Sequence, residues 1–309
     1  MSGYDLAYVA LSTSDPKGVA TVLAGDLGMA FREIAHPGGD VRVFTAGRSG
    51  ISVFGNDHPL LDRPGQNGLD HIALVAGNPH AAAKDHGLAV IAEPDEEALG
   101  GGVQARLDPD HTRGVRTRFI PGFDLIPAAE GMIERIDHLG VASGGVRGDE
   151  AVFCANLGFA VESRQTDMEI RTTVESFTSD KYGVVYHNRP PEPQGGLRVL
   201  FVTVGDTDFE FLEEFDPNRD RTIDHNAAGT TKQDQSAIGR YIEKRGPGLH
   251  HIALKATDIN GTLAHLAGEG RRMIDMVGRP GSRRALIGFV HPAAMGGVLL
   301  HLVERPEME

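Results

Sequence analysis

One phrase recurs along the 309-residue chain, and it limits the folds available more than any other feature. The stretches 68-GLDHIALVAGNPHAAAKDHGL-88 and 248-GLHHIALKATDINGTLAHLAGEG-270 share Gly-Leu, a polar residue, His-Ile-Ala-Leu, a turn and an alanine-rich helical segment. The stretches 4-YDLAYVALSTSDPKGVATVLAGDLGM-29 and 135-RIDHLGVASGGVRGDEAVFCANLGF-159 each give an alternating strand, a loop, a helix and a closing Leu-Gly. Short β-rich runs with turn residues follow every helix, among them 41-VRVFTAG-47, 115-VRTRFIP-121, 197-LRVLFVTVGDTDFEFLEEF-215 and 297-GVLLHLV-303. A repeat of this kind marks one supersecondary unit used several times, because one unit cannot bury its own apolar face. The pattern predicts four βαβββ modules, at about 1–60, 66–128, 133–216 and 246–305. They are expected to pair into two domains, 1–130 and 131–309, in an α+β fold whose helices cover one face of curved mixed sheets. The other face then lines a cavity. The polar segment 216–245 reads as loop leading into a short helix at 236-SAIGRYIEK-244.

Composition removes several function classes. A formal net charge of −13 disfavours nucleic acid as a partner, since phosphate backbones need a basic surface. The one basic cluster, 279-RPGSRR-284, reads as a solvated turn, with an anionic substrate tail as the alternative. Cys154 is the only cysteine, which rules out an intrachain disulfide and a thiolate metal cluster. No apolar run reaches the roughly 18–20 residues of a membrane span. The N-terminus lacks a basic region ahead of its apolar stretch, so a cytoplasmic protein is expected, acting on a small molecule, with a homodimer possible.

Strand alternation sorts the histidines, because alternate side chains share a face. In 136-IDHLGVA-142 it groups Ile136, His138, Gly140 and Ala142 against Asp137, Leu139 and Val141. In 251-HIALK-255 it groups His251, Ala253 and Lys255 against His250, Ile252 and Leu254. The small-residue faces suit a cavity and the bulky faces suit a helix. His138 and His251 are therefore expected in the cavity and His250 on the helix-packing side. Glu213 and Glu214 are expected at a solvated rim.

The stretches 236-SAIGRYIEKRGPGLHHIALKATDI-259, 289-FVHPAAMGGVLLHLVER-305 and 205-GDTDFEFLEE-214 resemble the vicinal-oxygen-chelate (VOC) superfamily, and within it the methylmalonyl-CoA epimerases. The four-module layout is similar to that of the extradiol ring-cleaving dioxygenases and 4-hydroxyphenylpyruvate dioxygenase. The resemblance implies one divalent metal per chain (Fe, Mn, Co, Ni or Zn), held by His138, Glu210, His251 and His301. The matching positions of the first half are taken as Leu6, Ser52, His71 and Ile126, a set that cannot hold a metal.

The chain departs from its relatives at the last ligand, where they carry a glutamate and it carries His301. Glu304, three residues on, falls on the opposite strand face. Where the epimerases place a second base, this chain has Val199 or its neighbours. Two-base epimerisation of methylmalonyl-CoA is therefore disfavoured. Glu175, His187 and Glu210 remain as candidate bases, with Glu210 and His187 assigned as catalytic and Tyr186, His225 and His291 as substrate-binding. The expected activity is metal-dependent stabilisation of an enolate-like intermediate on a substrate with vicinal oxygens, of the isomerase, epimerase or lyase type. The alternatives are a non-haem Fe(II) dioxygenase and a non-catalytic binding protein.

Overall fold

The structure, a computed structural model, describes residues 4–91, 95–216, 228–229 and 236–305. Two curved sheets form, and each draws its strands from one half of the chain. The first contains β1 (Leu6–Thr13), β2 (Phe31–Ile34), β3 (Val41–Ala46), β4 (Ser49–Gly55), β5 (Gly68–Val75), β6 (Ala105–Arg106) and β7 (Thr117–Ile120), in the order β2-β3-β4-β1-β5-β7-β6. From the second half come β8 (Ile133–Ala142), β9 (Ala160–Arg171), a separate hairpin of β10 (Val174–Ser179) and β11 (Gly183–Asn188), then β12 (Glu192–Val204), β13 (Thr207–Phe215), β14 (Ala228–Gly229), β15 (Gly248–Ala256), β16 (Arg279–Pro280), β17 (Leu286–Val290) and β18 (Leu299–Glu304). The second sheet runs β14-β9-β12-β13-β8-β15-β18-β17-β16. In both sheets the opening strands of two modules pair antiparallel at the centre, β1 with β5 and β8 with β15. Each opening strand then pairs parallel with the last strand of its own module: β1 with β4, β5 with β7, β8 with β13 and β15 with β18.

The helices are α1 (Pro16–Ala20), α2 (Pro79–Asp85), α3 (Val146–Glu150), α4 (Ala237–Arg245) and α5 (Ile259–Gly268). Helices α1 and α3 both widen into a π-turn, closed by Leu27 N–H on Val22 O and by Leu157 N–H on Val152 O. The shared irregularity reflects the shared Leu-Gly ending seen in the sequence. One continuous core joins the helix-facing sides of the two sheets, with Val9, Leu11, Leu69 and Ile72 from the first and Leu139, Val141, Ile252 and Leu254 from the second. The helix predicted at 236–244 is present as α4.

Glu304 lies on the helix side, as its spacing from His301 requires. Its Oε2 accepts the Ile259 amide at 2.7 Å, and Asp258 accepts Gly261 N–H at 3.0 Å, so two carboxylates satisfy donors that open α5. Glu213 is not a free rim residue. It accepts the Val146 amide at the start of α3 and pairs with Arg198 at 3.1 Å. Glu214 is exposed. Replacing the α5 cap, Asp258→Ala, should lower stability by about 1 kcal/mol in urea unfolding followed by circular dichroism; an unchanged midpoint would show that Glu304 alone secures that end.

Candidate metal centre

Side-chain placement at the site is governed by two extra residues in the β8–β15 ladder. His251 faces Gly140, Ile252 faces Leu139 and Ala253 faces His138, but Leu254 faces Ile136, which leaves Asp137 unpaired in register. At the other end Leu249 faces Val141 and His251 faces Gly140, so His250 is also an extra residue. Each is a β-bulge, and a bulge re-aims its side chain. Simple alternation therefore fails at both positions. Asp137 sits beside His138, its Oδ2 accepting from His138 Nδ1 at 2.9 Å, rather than on the helix side. His250 turns toward His251, with the two Nδ1 atoms 3.0 Å apart, and meets the Tyr241 ring of α4 edge-on at 4.7 Å.

His138, His251 and His301 converge, their ligand nitrogens all lying within 4.8 Å of one another. His138 Nε2 and His251 Nε2 are 3.3 Å apart, and Glu210 Oε2 is 3.4 Å from each. All four side chains are buried. With Nδ1–H of His138 donated to Asp137, its Nε2 lone pair faces the cluster. His251 pairs through Nδ1 with Nδ1 of His250, which leaves its Nε2 directed at the cluster. Both ring nitrogens of His301 are buried without a hydrogen-bond partner. Its ring is held flat against Phe289, centroids 4.3 Å apart and planes 13° apart. Gly140 makes room for His251, since a Cβ there would lie 2.0 Å from Cε1 of that ring.

Electrostatics favour neutral His251 and His301 and an ionised Glu210. Burial lowers the pKa of His251 and takes His301 well below 6.5, with the neighbouring histidines adding to the effect at His301. Burial and the His251 charge bring His250 down to about 3. Burial would raise Glu210, but His138, its hydrogen bond with His251 and the Arg283 charge bring it to about 2. Arg283 comes from the basic cluster at 279–284 and is neither solvated nor free. Its guanidinium stacks on Phe201 at 3.7 Å and donates to Asp208 at 2.7 Å, and it approaches Asp137 at 3.5 Å. Arg305 lies 2.9 Å from the other Asp137 oxygen. Beside the cluster the cavity wall is apolar, formed by Ala142, Val199, Phe201, Leu212 and Ile238 under α4.

The remaining candidates lie elsewhere. Tyr186 and His187 are on the exposed β10–β11 hairpin, where Glu175 pairs with Arg189 at 2.6 Å, and neither joins the cluster. The hairpin forms a two-stranded sheet of its own, separate from the nine-stranded one. His291 accepts Ala293 N–H through Nδ1 at 3.1 Å and so shapes the turn before β18. His225 lies outside the described residues.

No family model matches the chain. Mitochondrial methylmalonyl-CoA epimerase of Dictyostelium discoideum is 29% identical over 131 residues, covering 41% of this chain and 69% of that protein. The human mitochondrial enzyme of that name is 27% identical over 128 residues, 41% of this chain and 63% of that one. A mutant of 4-hydroxymandelate synthase from Streptomyces coelicolor superposes on 100% of this chain and 94% of its own, with a TM-score of 0.61 at 17% identity. The chain has the VOC fold.

The register of this VOC chain also corrects the first-half equivalents. Tyr8 faces Ala73 as His138 faces Ala253, and Arg118 flanks Ala73 as His301 flanks Ala253. Ser52 beside Ala10 corresponds to Glu210 beside Gly140. The four positions are thus Tyr8, Ser52, His71 and Arg118. Leu6 belongs to the helix-side core and Ile126 follows the last strand of its sheet. Arg118 is fully buried and donates to Asp62 at 2.7 Å and Gln104 at 3.0 Å. His71 bonds Asp70 at 2.7 Å and the Tyr8 hydroxyl at 3.3 Å, and burial raises the Tyr8 pKa to about 12. Asp62, Asp70 and His71 also lie close enough to share an ion, but Arg118 already supplies a cation there.

Two outcomes follow. Gly140→Ala should displace the His251 ring and reduce the metal retained after dialysis, measured by elemental analysis, while far-ultraviolet circular dichroism stays close to wild type. In the metal-free protein, His250, His251 and His301 have folded-state pKa values below the ordinary 6.5. Below pH 6.5 the unfolded chain therefore binds protons that the folded chain does not. Stability should fall as pH drops from 7 to 5, and a Tm flat across that interval would contradict it.

Proposed function

We propose that the chain is a metal-dependent VOC enzyme. Its second domain, 131–309, would bind one divalent ion through His138, Glu210, His251 and His301, with a first domain, 1–130, that binds none. The observation that carries this reading is His301, buried with both nitrogens unpartnered and stacked on Phe289, with its ring against those of His138 and His251. Leaving a polar ring unpaired in a core is costly, and a ligand bond removes that cost. Ligand atoms 3.3–3.4 Å apart match donors sharing one ion at roughly 2.0–2.2 Å.

A bound divalent ion would supply Lewis-acid stabilisation of negative charge on two adjacent substrate oxygens. The chain supplies the rest. Asp137 and His250 orient the rings of His138 and His251, and Arg283 and Arg305 balance the buried Asp137 charge. The wall of Ala142, Val199, Phe201, Leu212 and Ile238 excludes water and favours a substrate with an apolar body. With Val199 in the wall, the reaction is of the enolate-forming isomerase, epimerase or lyase type but is not standard two-base methylmalonyl-CoA epimerisation. A dioxygenase is the second reading, favoured by full-length superposition on 4-hydroxymandelate synthase.

Elemental analysis of protein purified without added metal tests the site. One equivalent of a divalent ion is expected, His301→Ala should lose most of it, and His71→Ala should keep it. Equal losses would place the site wrongly. Solvent deuterium entering a 2-substituted carbonyl substrate supports the enolate reading. Stoichiometric iron with oxygen uptake would replace it by the dioxygenase.

A further inference from the structure

Three arginines from the two halves meet in a cleft away from the histidine cluster, in a chain of net charge −13. The cleft has a volume of about 420 Å³ and is lined by Arg113, Arg116, Arg245 and Asp110, with Gly114 and Pro247 in its floor. The floor is made where two backbone segments touch. A Cβ on Gly114 (φ +88°) would lie 2.4 Å from Pro247 O, and one on Gly248 (φ +145°) would lie 2.8 Å from Gly114 O. Only glycine accepts both the conformation and the approach. The loop of the first half is thereby locked onto the entry to β15, and the arginines on either side are held at fixed separation.

The three side chains differ in what they already bind. Arg113 adopts φ +54°, unusual for a residue with a side chain, and pairs with Asp149 at 3.1 Å. Arg245 reaches the Asn67 carbonyl at 3.3 Å and lies over the Tyr241 ring. The Arg116 side chain is half-buried and meets no acceptor among the described residues. Burial and the nearby Arg63 charge lower its pKa, with Asp70 and Asp62 partly opposing them. A guanidinium held out of water without an acceptor is costly, and a multiply charged oxyanion is the ligand that relieves it by paired N–H···O bonds.

We infer that this cleft is an anion site that takes a phosphate group of a small molecule, with Arg116 at its centre and Arg113 and Arg245 on either side. Phosphate matches it better than a carboxylate, because three guanidinium groups, two from the loop before β7 and one from the end of α4, need more than two acceptor oxygens. None of the four candidate metal ligands lines this cleft.

Calorimetric titration of the full-length protein with inorganic phosphate, and separately with pyrophosphate, at low ionic strength tests this. One saturable site per chain is expected, weakened roughly tenfold or more by R116Q and by R245Q. It should be unaffected by H301A, which separates it from phosphate bound at a metal. D110N removes a negative charge from the cleft and should tighten binding, so the test does not depend only on loss-of-function variants. Absence of saturable binding, equal competition by chloride at matched ionic strength, binding that survives R116Q, loss in H301A, or no tightening in D110N would each overturn the assignment.

Discussion

The antiparallel pairing of β8 with β15 is the contact on which the rest of the second half depends. It brings the opening strands of two modules side by side and sets His138 against His251 with Nε2 atoms 3.3 Å apart. Each strand then recruits the last strand of its own module in parallel, which delivers Glu210 from one flank and His301 from the other. Four donors from four strands therefore meet through backbone hydrogen bonding alone, and no loop has to be ordered for them to do so. The two bulges add the orienting partners Asp137 and His250.

The same frame in the first half is filled differently. Tyr8, Ser52 and His71 occupy three corresponding positions and Arg118 the fourth, with its guanidinium donating to Asp62 and Gln104. Strand pairing is preserved while the chemistry at the centre is exchanged. The frame itself is thus a packing solution of central strands and helix-covered apolar faces, and the polar cluster on its inner side is a separate choice made by a few residues.

Much of this was legible in the repeat. The modules, the short helix before β15, the opposed placement of Glu304 and His301, and the inward direction of His138 and His251 all follow from spacing and alternation. Asp137 and His250 were misplaced because alternation assumes an unbroken ladder, whereas a bulge is defined by the partner strand and is invisible in one strand's sequence. The doublets Asp70-His71, Asp137-His138 and His250-His251, each at a bulged opening strand, are the available trace of it. Arg118 was missed because the fourth position was matched to Ile126, beyond the β-rich run 115-VRTRFIP-121 that forms the closing strand. Gly140 gave no signal, since its importance comes from a ring packed across the sheet. Tyr186, His187 and Glu175 drew attention as polar residues near a proline-rich loop, and they lie on a hairpin outside the sheet that carries the histidine cluster.

Arg118 makes the two halves thermodynamically unlike. A guanidinium tethered by its own backbone cannot dissociate, be chelated or be exchanged for another ion, so the charge balance of the first sheet is independent of the surroundings. The second sheet carries its unsatisfied donors on His301, and on the reading given above its stability rises with the free concentration of an ion outside the chain. Two copies of one architecture then sense different environments, one closed to the ionic composition of the cell and one coupled to it.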